Sequence, residues 1–202
     1  MNPTQQMIKR LFLSIAISVA ALIAGTGSAT ADVTRCDGAL PTGIYENLFV
    51  PKGGFCDVAN VDVFVLQNVE LQEGALLLVN GSNFTVNGNL NGDGVRIGES
   101  LDNLVVMING NVTITGSRGF ALLDVNIDGQ LHISRSGGFG SYRVENSRIT
   151  GNVLLENNRR EIRFVENQVV GNLSCNANDP APVLGSPDTN TVGGKRIGQC
   201  SQ

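Results

Sequence analysis

Gly110-Asn111-Val112-Thr113-Ile114, Gly129-Gln130-Leu131-His132-Ile133 and Gly151-Asn152-Val153-Leu154-Leu155 are versions of one phrase: a glycine, an amide, then an apolar residue at every second place. The phrase extends in both directions along the chain. With the amide as anchor, the column reads Asn47, Asn68, Asn89, Asn111, Gln130, Asn152 and Asn172, and Lys195 closes it with a departure. Successive anchors lie 19 to 23 residues apart. Three residues before them stand Ile44, Val65, Val86, Ile108, Ile127, Ile149, Val169 and Val192, all β-branched. One residue after them come Leu48, Val69, Leu90, Val112, Leu131, Val153 and Leu173. Three after come Val50, Leu71, Ile114, Ile133 and Leu155, with Gly92 as the exception.

Alternation over a few residues marks a strand with one apolar face, and a repeat of about twenty residues marks a unit that cannot bury that face alone. Stacked circuits bury it against the same column above and below, at a strand spacing of roughly 4.7–4.9 Å. The glycine before the anchor predicts unusual backbone angles at a tight corner. The asparagine tolerates such corners, and stacked on itself it predicts a ladder of paired amides. No proline occurs between Lys52 and Asp179, as expected where every strand donates to its neighbours. Leucine-rich repeats would need helical segments, and a left-handed hexapeptide solenoid would need a strict six-residue pattern; neither is present. The reading is an all-β chain, a right-handed parallel β-helix (solenoid) of about eight circuits.

The ends carry different signals. Lys9 and Arg10 precede an apolar run over 11–24 and then Ala29-Thr30-Ala31, the pattern of a signal peptide cleaved after residue 31. No later run is apolar for long enough to span a bilayer. The mature chain, 32–202, reads as a single domain, with an N-terminal cap and first circuit over 32–60 and a C-terminal cap over 175–202. Its cysteines are Cys36, Cys56, Cys175 and Cys200, two near each end. An even count in an exported chain implies disulfides, and three pairings exist on paper. Bonded Cα atoms lie within about 7 Å of each other, while a stack of eight circuits is several times longer. The repeat therefore leaves Cys36–Cys56 and Cys175–Cys200, clips at the ends of a solenoid that needs capping.

Composition narrows the function. Of 202 residues 42% are apolar and 16% charged, tryptophan is absent, and the formal charge is −4. That is not a disordered chain, nor one with the clustered basic surface of a nucleic-acid binder. Aromatics at 5% predict a core that does not rest on large rings.

The two ends also carry a resemblance. Cys36, the run Thr42-Gly43-Ile44-Tyr45-Glu46-Asn47-Leu48-Phe49-Val50-Pro51 and Cys56 open the mature chain. Gly171-Asn172-Leu173-Ser174-Cys175, Pro180-Ala181-Pro182, Asn190-Thr191-Val192-Gly193-Gly194 and Gly198-Gln199-Cys200 close it. Together they resemble exported bacterial proteins described as pectin-lyase-like parallel β-helices without an assigned activity. The resemblance implies fold and export, and it brings no catalytic residues.

The outward positions offer limited chemistry. His132 is the sole histidine and has no nucleophile elbow to serve. The turn Asn89-Leu90-Asn91-Gly92-Asp93-Gly94 holds one carboxylate, too few for a calcium loop, so no metal or cofactor is expected. Arg96, Arg118 and Arg159 lie seven residues after their anchors, and Arg135 lies five after its own. They form a candidate glycan-binding column, because guanidinium forks grip carboxylate and phosphate. Asp124, Glu145 and Glu166 recur further round, with Arg143 and Arg163 placed to neutralise the last two. A glycosidase would need two of these carboxylates about 5–9.5 Å apart, inside a cleft that the short circuits do not wall. The expectation is an exported, non-enzymatic β-solenoid, structural or binding a cell-envelope polysaccharide, located in the periplasm, on the cell surface or outside the cell. The alternatives are a lyase or hydrolase of acidic glycans and a self-associating filament subunit.

Overall fold

The computed structural model describes residues 32–92 and 106–201, together with the backbone of 94–97. The signal-peptide reading of 1–31 and the place of Asp93 lie outside the described residues. Within them the chain is a parallel β-solenoid, all-β and without an α-helix. Three sheets run its length, of nine, seven and eight strands, and each strand pairs in parallel with its counterpart one turn away. Taken in order round the coil, the strands of turn 5 are Val112–Thr115, Phe120–Leu123 and Val125–Ile127. Those of turn 6 are Leu131–Ser134, Tyr142–Glu145 and Arg148–Ile149, and those of turn 7 are Val153–Glu156, Arg163–Val165 and Gln168–Val169.

Seven turns are complete, fewer than the eight circuits that the anchors suggest. In the eighth, the strands Leu173–Asn176 and Thr191–Val192 belong to the first and third sheets, but the second sheet has no strand. The prolines at 180, 182 and 187 explain the gap, since proline cannot donate to a ladder. Only one bridge, between Arg163 and Val183, joins this segment to the second sheet.

The register confirms the inward column. Leu48, Val69, Leu90, Val112, Leu131, Val153 and Leu173 stand one above another and are buried. Burying each such side chain is worth about 1.5–3 kcal/mol. Gly92, the exception three residues after an anchor, sits where an added Cβ would stand 2.5 Å from that of Leu71. The core is mainly aliphatic, yet Phe84, Phe120 and Phe164 are fully buried in it, more aromatic material than the composition suggests.

Two sequence expectations need correction. Ile44 does not belong to the inward column: it pairs with Phe64, while Tyr45 pairs with Val65. Only Glu46 separates Tyr45 from Asn47, whereas Leu66 and Gln67 separate Val65 from Asn68. A shift of one residue turns a side chain to the other face, and Ile44 is 73% exposed. The second correction concerns the glycine column, which is set by crowding rather than by unusual angles. Each of Gly110, Gly129, Gly151 and Gly171 donates its N–H to the carbonyl of the glycine one turn before it. A Cβ on Gly129 would lie 2.4 Å from the Gly110 oxygen, and one on Gly151 would lie 2.5 Å from that of Gly129.

The disulfides are Cys36–Cys56 and Cys175–Cys200, with Cα atoms 5.3 and 5.2 Å apart. All four cysteines are buried, so the clips fasten the terminal turns from inside.

Candidate functional site

The anchor amides do stack, but the bond that repeats runs from backbone to side chain. Asn68 Oδ1 accepts from the Asn89 N–H, Asn89 Oδ1 from Asn111, Asn111 Oδ1 from Gln130, and Asn152 Oδ1 from Asn172, each at 2.9 Å. Asn47 Oδ1 accepts from the Asn68 N–H at 3.2 Å, and Asn172 Oδ1 from the Lys195 N–H at 2.7 Å. This ladder lies at the surface, since Asn68, Asn111 and Asn152 are exposed.

Two further ladders are buried, and they shape the other corners. Between the first and second sheets, Ser117, Ser136, Asn158 and Asn178 follow their anchors by six residues and are buried. Asn158 Oδ1 accepts from the Ser136 N–H at 3.0 Å, and Asn158 Nδ2 donates to Asn178 Oδ1 at 2.8 Å and to the Ile133 carbonyl at 3.1 Å. Gln199 takes the next place, its Oε1 accepting from the Asn178 N–H at 2.9 Å. Between the second and third sheets, Asn167 Oδ1 accepts from the Ser147 N–H and Asn190 Oδ1 from the Asn167 N–H, both at 3.0 Å. Sequence reasoning missed both columns; the constant six-residue offset of the first was a signal, whereas the offset of the second varies from turn to turn.

A left-handed residue precedes every rung of the first ladder, and Ser147 and Asn167 of the second. At the first of these corners it is Gly116, Arg135, Asn157 or Ala177, with φ of 71°, 53°, 55° and 50°. The kink turns the residue after it into the core and the residues on either side outward. Arg118, Gly137, Arg159 and Asp179 come next, and the N–H groups of Gly137, Arg159 and Asp179 donate to the Ser117, Ser136 and Asn158 carbonyls. The result is a groove of about 750 Å³ whose lining includes Arg135, Gly137, Asn157, Arg159 and Asp179.

Three of the four arginines singled out from sequence thus lie along one corner, Arg135 and Arg159 lining the groove and Arg118 a turn before Gly137. Arg96 does not join them: its backbone pairs with Leu78 and Ala121 in the second sheet. That row continues through Arg143 and Arg163.

The charges divide by place. Arg143 and Arg163 both hold Glu145, with Arg143 Nε and Arg163 Nε each 2.8 Å from Oε1. Arg35 pairs with Asp37, Arg196 with Asp188, and Arg148 donates to Gln168. Arg160 donates to the Gly138 carbonyl. Among the described residues, by contrast, Arg118, Arg135 and Arg159 have no carboxylate at ion-pair distance.

Hydrogen bonding from Arg143 holds the Glu145 carboxyl below its ordinary range, outweighing burial, with Arg163 adding to the effect. The Glu145 carboxylate is therefore engaged. Asp124 and Glu166 lie at the other corner in left-handed conformation, φ 57° and 58°, with Asn146 between them and donating to Asp124. His132 faces outward from the first sheet, and its Nε2 lies 2.9 Å from Glu156 Oε1, a partner the sequence did not reveal. Around this pair Thr115 and Ser134 share a hydrogen bond of 3.2 Å.

Arg118, Arg135 and Arg159 thus project, without ion-pair partners among the described residues, from a corner whose backbone the buried amides hold; Asp179 shares the groove lining, and Arg118 acts on Glu73 at longer range. No family model, curated protein or solved structure matches this chain.

Proposed function

We propose that this protein is an exported, non-enzymatic β-solenoid whose corner between the first and second sheets binds an acidic polysaccharide of the cell envelope or its surroundings. The observation that carries the reading is that, among the described residues, Arg118, Arg135 and Arg159 have no carboxylate at ion-pair distance, while the neighbouring Arg143 and Arg163 are paired. Guanidinium forks grip carboxylates, and among the described residues these three side chains leave that capacity unused. Successive turns lie about 4.8 Å apart, and a periodic array of cations suits a polymer with periodic carboxylates. A net charge of −4 disfavours polyanions elsewhere on the surface.

Export rests on the signal-like segment 1–31 and on two disulfides, which persist in oxidising compartments. Among the described residues no helix is long and apolar enough to cross a membrane. The resemblance of the terminal motifs to exported bacterial pectin-lyase-like proteins points the same way.

The triple variant R118E/R135E/R159E tests the reading by retention on immobilised pectate or alginate. Retention by the wild type, lost in a variant with unchanged thermal unfolding, supports it. Equal retention of the two overturns it.

A further inference from the structure

Beside this groove the chain from Ser136 to Ser141 carries Gly137, Gly138, Phe139 and Gly140. Phe139 is fully exposed, whereas Phe84, Phe120 and Phe164 are fully buried. The segment is nevertheless tied down. The Gly138 N–H donates to Tyr142 Oη, which donates to the Ser117 carbonyl at 3.2 Å. The Gly140 N–H donates to the Arg118 carbonyl at 3.0 Å, and Arg160 Nε donates to the Gly138 carbonyl at 2.9 Å. Backbone contact explains the glycines: a Cβ on Gly138 would stand 2.8 Å from the Arg118 Cα, and one on Gly140 would stand 2.3 Å from the Arg118 oxygen. The loop is pressed against Arg118, and Gly137, two residues before Phe139, lines the groove.

The Arg160 guanidinium lies 5.6 Å from the Phe139 ring centroid, over the ring. Such a cation–π contact fixes the orientation of an exposed ring. An apolar ring held outward on a pinned loop carries no role in the core, and preorganised contacts of this kind lower the ordering cost of binding.

We infer that Phe139 is a stacking platform for a sugar ring of the bound polymer, so that the ligand is a polyuronate, which offers carboxylates to Arg135 and Arg159 and an apolar pyranose face to Phe139. This rests on the function proposed above and names the ligand class for the same corner. A polyanion without sugar rings satisfies the arginines alone.

The test compares polygalacturonate with inorganic polyphosphate, titrated calorimetrically into wild type, F139A and R135E/R159E. The expected result is a loss of at least about fivefold in the affinity of F139A for polygalacturonate, the effect of losing one aromatic contact of about 1 kcal/mol, with affinity for polyphosphate unchanged. R135E/R159E should lose both ligands. If the wild type binds both polymers and F139A changes neither affinity, or lowers both equally, the stacking role is overturned while the cationic groove stands. If the wild type binds neither polymer, the function itself fails and the stacking role fails with it. Light scattering adds a third arm: self-association of the wild type that F139A abolishes would make the ring a contact between copies and overturn the inference.

Discussion

The Asn158 side-chain amide donates to Asn178 Oδ1 at 2.8 Å, joining the same corner in two successive turns. Through its own Oδ1 it also accepts from the Ser136 N–H, and through Nδ2 it reaches the Ile133 carbonyl. One side chain thereby satisfies polar groups on both sides of a buried kink, and it holds the backbone from which Arg135 and Arg159 project.

Removing that side chain should cost far more than removing an anchor amide. Asn158→Ala leaves buried backbone groups unpaired, at about 1–3 kcal/mol for each, and the expected loss is about 2–4 kcal/mol. Asn152 is exposed, and water can replace its bond to Asn172, so Asn152→Ala should cost less than about 1 kcal/mol. Ser136 Oγ is buried without a partner, and Ser136→Ala should be neutral or stabilising. Urea unfolding of the three variants checks the ranking.

Two substitutions separate the steric role of glycine from its conformational one. Gly129→Ala places a Cβ 2.4 Å from the Gly110 oxygen, and we expect a loss above about 3 kcal/mol or failure to fold, as for other severe overpacking. Ala177 holds φ 50° without glycine's freedom, at a cost of about 1–2 kcal/mol for an L-residue. Ala177→Gly removes that strain against an unfolded-state penalty of about 0.5–1 kcal/mol, so thermal unfolding should move slightly upward.

Much of this was legible beforehand because stacking repeats itself. The inward aliphatics, the two disulfides and the surface amide column all follow from one period read along the chain. What remained hidden depended on details that a period does not carry. One missing residue before Asn47 turned Ile44 outward. The glycines occupy their column because carbonyls of the preceding turn crowd them, which only coordinates reveal. At the candidate site, Arg118, Arg135 and Arg159 could be assembled from their offsets, but Arg96 could not be excluded, since an equal offset from the anchor does not mean an equal place when a corner changes length. The His132–Glu156 contact joins residues 24 apart whose backbones are not register partners, so no single column contains both.

Acid should weaken the fold through Glu145. Its carboxyl is held below the ordinary value of 4.5 by Arg143 and Arg163. A lowered folded pKa means stability that is fully present above the unfolded value and is lost as the pH falls through the folded one. The wild type should therefore lose its advantage over Glu145→Gln as the pH drops below about 4.5. Denaturant midpoints of the two proteins, measured from pH 7 to pH 3, should converge; a constant gap would refute the assignment.

The end clips should act independently. Cys36–Cys56 and Cys175–Cys200 span 20 and 25 residues, and a loop of that size stabilises by about 3 kcal/mol in the chain-entropy model. Replacing either pair with alanine should lower the unfolding free energy by about 2–4 kcal/mol. The double replacement should lower it by nearly the sum, because distant sites add.

The cationic corner itself is tested most directly by titrating polygalacturonate into isotope-labelled protein and following the backbone amides by NMR. The account predicts shifts confined to Gly116, Arg118, Arg135, Gly137, Asn157, Arg159 and the loop at Phe139, with the Asp124–Glu166 corner unmoved and the response fading as salt is raised. Shifts centred on the acidic corner or on the outer face of the third sheet, or none at low salt, would contradict it.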